Sequence, residues 1–254
     1  RTKDIDDVDF STGSVGLGVA ITSFASIVQD YIQAKHWGED QAPGRMVALV
    51  GDAELDEGNI YEALQEGWKN NLRNCWWIID YNRQSLDGVV REGLFKRVEQ
   101  IFDAFGWDVV RVKYGTLQRK AFAEEGGNKL KDWIDDCPNQ LYSALTYMGG
   151  AVWRERLMDA LGDQGDVTAL LNARNDAELA ALMENLGGNC VETMAETFVA
   201  IKHDGPVCFM AYTIKGWGTP IAGHKDNHGG LMNKTQMAAW QKHMGVAEGE
   251  EWEK

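Results

Sequence analysis

Nowhere does the chain carry an apolar run approaching the roughly 20 residues that cross a bilayer, and no charged-then-apolar N-terminal segment resembles a signal peptide. Cysteine is scarce and unpatterned: the four, at 75, 137, 190 and 208, make no C-x-x-C pair and no evenly spaced framework. Such usage suits a reducing cytoplasm better than secretion, and each thiol reads as a small buried hydrophobe. Positive charge is also short. Lys and Arg total 25 against 39 Asp and Glu, a formal charge of −14 and the wrong sign for coating a phosphate backbone. The expectation is a soluble, cytoplasmic protein without a nucleic-acid or membrane partner. What is present excludes a disordered tail: 254 residues, 44% hydrophobic, suffice for one large α/β domain.

The chain begins with Arg1 and enters a glycine-rich turn within a dozen residues, which reads as the boundary of a fragment. Residues 245–254 are an acidic stub that reads as a linker or frayed end. Between them, Val19, Ile21, Phe24, Ile27, Val28 and Tyr31 recur at helical spacing, and the glycines and proline of 38–44 break the pattern into a loop. Residues 46–50 form a short apolar run stopped by Gly51, the pattern of a strand buried on both faces. A helix over 59–70 and a buried strand over 75–80 complete a βαβ unit. Further strands are expected at 107–112 and 207–212, with helices at 93–105 and 190–203. Alternation of this kind predicts a three-layer α/β/α domain with a mainly parallel sheet, spanning 1–254, with 115–188 as a helical insertion rather than a separate domain. The Trp76-Trp77 pair reads as core, whereas Trp217 lies in a glycine-rich turn.

Chemistry concentrates where the first strand ends. Gly51, Asp52, Ala53, Glu54, Leu55, Asp56 and Glu57 place four carboxylates at the carboxyl edge, where open α/β sheets bind ligands. An EF-hand fails here, because its sixth position is Glu57 rather than glycine and its twelfth is Ala63. A solvated acidic cap for the next helix remains open on this segment alone. The second strand ends in Tyr81, Asn82, Arg83, Gln84 and Ser85, so that Asp52 and Asn82 lie thirty residues apart. A right-handed βαβ unit of that length brings both side chains to one sheet edge. One carboxylate, one amide oxygen and a nearby loop carbonyl suit a hard cation such as Mg²⁺, with positions left for phosphate oxygens.

The spacing G-D-A-E, twenty-seven residues, N-R-Q resembles the thiamin diphosphate motif, in which G-D-G is followed by N after some thirty residues. The segment from Ser11 to Gly18, which includes Ser14, is similar to the glycine-rich stretch before the first helix in transketolases and in the decarboxylating component of homodimeric 2-oxoacid dehydrogenases. The T-I-K-G-W-G run from Thr213 and the loop from His224 through His228 look like the corresponding segments of those families, in the same order. The stretch from Asn82 to Gly88, the segment 150–156 and the helices of 176–200 resemble the homodimeric pyruvate dehydrogenase type. The histidine loop has a transketolase flavour, and Asp80 stands where the pyruvate enzymes tend to carry an amide.

By this resemblance Asp52, the Asn82 side chain and the Gln84 carbonyl would hold Mg²⁺, with Ser14, Gly51, Ala53 and Glu54 near the diphosphate. Lys215 would reach it as a point charge or face solvent after its strand. Ala53 replaces the usual glycine, which is tolerable if its φ is negative. His228 is the expected catalytic histidine, orienting substrate and handling protons; a zinc pair with His224 is disfavoured by the flanking glycines. The resemblance implies a 2-oxoacid (pyruvate or similar) decarboxylating component passing its acyl group to a lipoyl-carrying acyltransferase. Transketolase and a non-catalytic assembly subunit are the alternatives. It also implies a pyrimidine-binding domain, absent from this chain and supplied within a homodimer or heterotetramer through an apolar face.

Overall fold

The computed structural model describes residues 8–37, 42–85, 88–89 and 93–251. Arg1, part of the loop expected at 38–44, the pair Leu86 and Asp87, and the last three residues of the acidic stub lie outside these. The elements run α1 (Leu17–Ala34), β1 (Met46–Gly51), a 3₁₀ turn (Asp52–Asp56), α2 (Gly58–Lys69), β2 (Cys75–Tyr81), a small hairpin β3 (Gln84–Ser85) and β4 (Gly88–Val89), α3 (Leu94–Ala104) and β5 (Asp108–Val112). Six helices follow: α4 (Thr116–Phe122), α5 (Gly127–Asp136), α6 (Asn139–Met148), α7 (Gly150–Leu161), α8 (Gly165–Asn172) and α9 (Asp176–Glu184). A 3₁₀ turn (Gly187–Asn189), α10 (Val191–Ala200), β6 (Val207–Tyr212) and α11 (Lys234–Met244) close the described chain.

The main sheet is wholly parallel in the order β1-β2-β6-β5, so β6 enters between strands that precede it by many residues. Strand alternation sends the two sets of side chains to two helical layers. Val50, Trp77, Ile79, Cys208 and Met210 pack with Val19, Ile60, Leu64 and Phe102 from α1, α2 and α3. Trp76, Val112, Val207 and Phe209 meet Met194 and Phe198 of α10 on the other face. Trp76 and Trp77 are both core, as their sequence context predicts, while Trp217 is half exposed. Full burial of Trp77 against Phe102 and Trp107 stabilises the sheet by several times RT, roughly 1.5–3 kcal/mol for an average large apolar side chain.

One expectation changes. The strand read as buried on both faces is an edge strand with one open face: Leu49 is 77% exposed and Val47 50%, because α10 covers the far layer only over β2, β6 and β5. The 115–188 region has a core of its own, in which Trp153, Leu130, Leu157, Leu171 and Met183 are fully buried. This core closes onto the sheet through Tyr212 and Ile214 and through the Tyr114–Leu186 bridge. The Gly187–Asn189 turn lies against the strand ends so closely that a Cβ on Gly188 would stand 2.8 Å from the Tyr212 carbonyl oxygen.

Candidate cofactor site at the carboxyl edge

Parallel pairing sets Gly51 opposite Asp80, so the turns leaving β1 and β2 sit side by side. Asp52 follows directly and is 4% exposed, and Asn82 and Gln84 are also buried. The Arg83 backbone N–H donates to Asp52 Oδ2 at 2.7 Å, and Gln84 N–H donates to Asn82 Oδ1 at 3.0 Å. Both donations depend on Arg83 adopting a left-handed backbone with φ 66°, an uncommon conformation for a residue with a Cβ. Arg83 is itself buried. Its guanidinium donates to the Thr213 carbonyl at 2.9 Å and lies over the rings of Tyr142 and Tyr212. Asp80 accepts from Asn82 Nδ2 at 3.4 Å and from the Thr213 hydroxyl, tying the second turn to the strand end after β6.

The glycine-rich turn is docked onto the same cluster. Glu54 accepts the Gly51 N–H through Oε1 at 3.1 Å and the Gly16 N–H through Oε2 at 3.0 Å, so its two oxygens bridge both turns. Gly16 is left-handed at φ 79°, and a Cβ there would fall 2.4 Å from Asn59 Oδ1. Ser14 is exposed and accepts at its carbonyl from the Thr12 hydroxyl. Ala53 sits in the 3₁₀ turn and is not among the residues with positive φ, which meets the condition for replacing glycine.

Burial pushes the Asp52 carboxyl up to about 6, and the charge of Asp80 adds to the shift; the N–H groups of Arg83 and Ala53 oppose it. No salt-bridging cation accompanies Asp52 among the described residues. Gln84 Oε1 is buried without a hydrogen-bond partner. A desolvated carboxylate beside amide oxygens is a donor set for a hard cation, and these residues fit Mg²⁺.

The strand β6 leads into the loop that carries the remaining candidates. Lys215 is half-buried, and its carbonyl accepts from Gly223 N–H at 3.0 Å and Asn227 Nδ2 at 2.8 Å, closing the loop. His224 packs edge-on against Tyr147 with centroids 4.6 Å apart, and its Nδ1 accepts from Asp226 N–H. His228 stands exposed on the next turn. No group of His, Cys, Asp and Glu suited to holding a metal involves this pair among the described residues.

Residues 2–124 match the family model described as transketolase, thiamine diphosphate binding domain. The matched part carries Asp52 and Asn82 and is similar to that thiamine diphosphate-binding domain. Over 238 residues it is 27% identical to the pyruvate dehydrogenase E1 component of Cupriavidus necator, covering 92% of this chain and 26% of that protein. The E1 component of Escherichia coli K12 is 26% identical over 233 residues, 90% of this chain and 26% of its own length. The chain thus spans about a quarter of these relatives. Among solved structures, transketolase from Campylobacter jejuni superposes with a TM-score of 0.53 at 18% identity, over 94% of this chain and 26% of that one. Leishmania mexicana transketolase gives 0.52 at 18% identity, over 94% and 25%. The structural likeness establishes the thiamine diphosphate-binding fold.

Of the residues singled out in sequence, the fold gathers Gly51, Asp52, Ala53, Glu54, Asn82 and Gln84 at one edge and sets Ser14, Lys215 and His228 on the loops leading from it. Arg83 was missed, since nothing in its residue type announces a left-handed backbone. The role of Glu54 as a bridge between turns was also hidden, because its partner Gly16 lies 38 residues away.

Proposed function

We propose that this chain holds the diphosphate of thiamine diphosphate through Mg²⁺ and acts within the decarboxylating component of a 2-oxoacid dehydrogenase of the pyruvate type. The observation that carries the reading is the convergence of Asp52, Asn82 and Gln84 at adjacent strand ends. Asp52 and the Asn82 amide would hold the cation, with the Gln84 carbonyl completing the protein's share. When bound, thiamine diphosphate supplies a thiazolium carbon able to act as an electron sink for a 2-oxo group. The chain's own residues anchor and position. Arg83 N–H and the Glu54 bridge keep the two turns in register, Lys215 contributes positive charge on the loop after β6, and His228 orients substrate and moves protons from a turn flanked by glycines that can close.

Relatives described as pyruvate dehydrogenase E1 components, matched along nearly the whole chain, support the pyruvate-type reading over ketol transfer. A pyrimidine-binding domain, from this or another chain of a homodimer or heterotetramer, would complete the site. The open apolar face of β1 at Val47 and Leu49 supports such a partner. Acyl transfer to a lipoyl-carrying acyltransferase follows from the same reading, and four free cysteines suit the cytoplasm in which we place the protein.

The test is calorimetric titration of thiamine diphosphate, with and without Mg²⁺, into the assembly containing the pyrimidine-binding domain, followed by turnover on pyruvate and on a ketose phosphate. Asp52→Ala and Asn82→Ala are expected to abolish Mg²⁺-dependent retention, whereas His228→Ala retains cofactor and loses turnover. Equal retention in all three overturns the assignment. Ketol transfer in place of carbon dioxide release shifts it to transketolase, and failure of the intact assembly to bind leaves a non-catalytic assembly subunit.

A further inference from the structure

We propose that a cationic cavity on the β5 side of the sheet binds a phosphorylated small molecule, at a site separate from the cluster around Asp52. The cavity has a volume of about 660 Å³, within the size range of small-ligand sites. Lys96 from α3, Arg111 and Lys113 from the end of β5, Arg119 from α4 and Lys131 from α5 converge on it, with Asp135. Four carboxylates face these five cations: Glu99 pairs with Arg111, Glu196 with Arg119, Asp135 with both Lys113 and Lys131, and Asp132 acts on Tyr114 in the wall. Five cations against four carboxylates leave a small local positive excess on a chain whose formal charge is −14. That contrast favours an anion held by specific groups over one gathered by the general field.

The cations are held in place before any ligand arrives. Asp135 accepts from Lys113, Lys131 and the Tyr114 hydroxyl together. The Arg111 guanidinium lies 5.3 Å from the Phe95 ring centre, and Lys113 Nζ lies 5.5 Å from that of Tyr212. Arg119 donates to the Thr193 hydroxyl at 3.3 Å, adding α10 to the wall. Guanidinium and ammonium groups fixed around one space recognise phosphate oxygens, and Arg does so in a planar fork. Phe95 lies buried beneath Arg111 and Tyr212 beneath Lys113, so recognition rests on the cations and the fitting ligand is a small phosphorylated molecule. The cavity adjoins the first site through one ring pair. Tyr212 lies 4.9 Å from Tyr81, the residue before Asn82, and both sites open at the carboxyl edge of the sheet.

The experiment titrates inorganic pyrophosphate, and separately ADP, into this chain at low salt in EDTA, so that any Mg²⁺-dependent anchoring at Asp52 is silent. Saturable binding of both is expected. Lys113→Gln with Lys131→Gln weakens it about tenfold, whereas Asp135→Asn, which frees both ammonium groups, tightens it several-fold. Circular dichroism melting checks that each variant folds, and the opposite signs separate a ligand site from a purely structural ion-pair network. Absence of binding, or an affinity that neither variant moves, overturns the proposal. So does binding abolished by Asp52→Asn but not by the lysine pair.

Discussion

Asp52 is the residue whose replacement most directly separates stability from function. Its carboxyl lies at about 6 in the folded chain against 3.8 for the unperturbed group, chiefly because burial disfavours the ionised form. Below about pH 3 both folded and unfolded chains hold the proton and the site contributes nothing. As pH rises, the unfolded chain ionises first while the folded chain still binds the proton, so stability falls until the folded group also ionises near pH 6. Above that the charge costs the full amount, about 3 kcal/mol at 1.36 kcal/mol per unit. Asp52→Asn removes the charge and leaves an oxygen to accept the Arg83 N–H. In EDTA at pH 7.5 the variant should therefore be more stable than the parent by up to about 3 kcal/mol, some 6–12 °C in melting temperature for a chain of this size. At pH 4 the difference should shrink to less than about 1 kcal/mol. Urea unfolding followed by circular dichroism at both pH values measures this. An asparagine variant no more stable at pH 7.5, or equally stabilised at both, would refute the reasoning. In the parent, a bound divalent cation should recover the same stability.

Two further outcomes follow from the geometry. Gly16→Ala forces a Cβ into a left-handed residue and against Asn59 Oδ1, so we expect a loss of about 2 kcal/mol, read as a lower urea midpoint; an unchanged midpoint would mean the turn relaxes freely. Burial raises the Cys190 thiol, but hydrogen bonds from Thr116 and Thr193 outweigh it and bring it down to about 6, while burial pushes Cys75 up to about 11. Iodoacetamide at pH 7 should label Cys190 ahead of Cys75, as mass spectrometry would show; equal labelling counts against those hydrogen bonds setting its reactivity.

Much of this was legible in the chain. The strand at 207–212 begins and ends where its apolar run does, and 75–80 extends by one residue to Tyr81. Apolar runs between polar breaks carry that information locally. The position of β6 between β2 and β5 was not legible, because nearly a hundred residues of helix separate it from β5 and periodicity does not report which strands pair. The open face of β1 escaped for a related reason. An unbroken apolar run looks the same whether the second layer covers it or stops one strand short. At the site, the acidic run after the first strand, the thirty-residue spacing and the resemblance to the thiamin diphosphate motif together pointed to Asp52 and Asn82, and the fold sets their turns side by side. Arg83 and Glu54 act through backbone N–H groups, which residue identity does not reveal.

The carboxylate of Glu54 grips one amide from each of two turns that are far apart in sequence. Neither amide can be released to solvent without breaking a bond to that one side chain. In native-state hydrogen exchange, Gly16 and Gly51 should therefore lose protection in a single concerted opening, and removal of the Glu54 side chain should split it into two independent events.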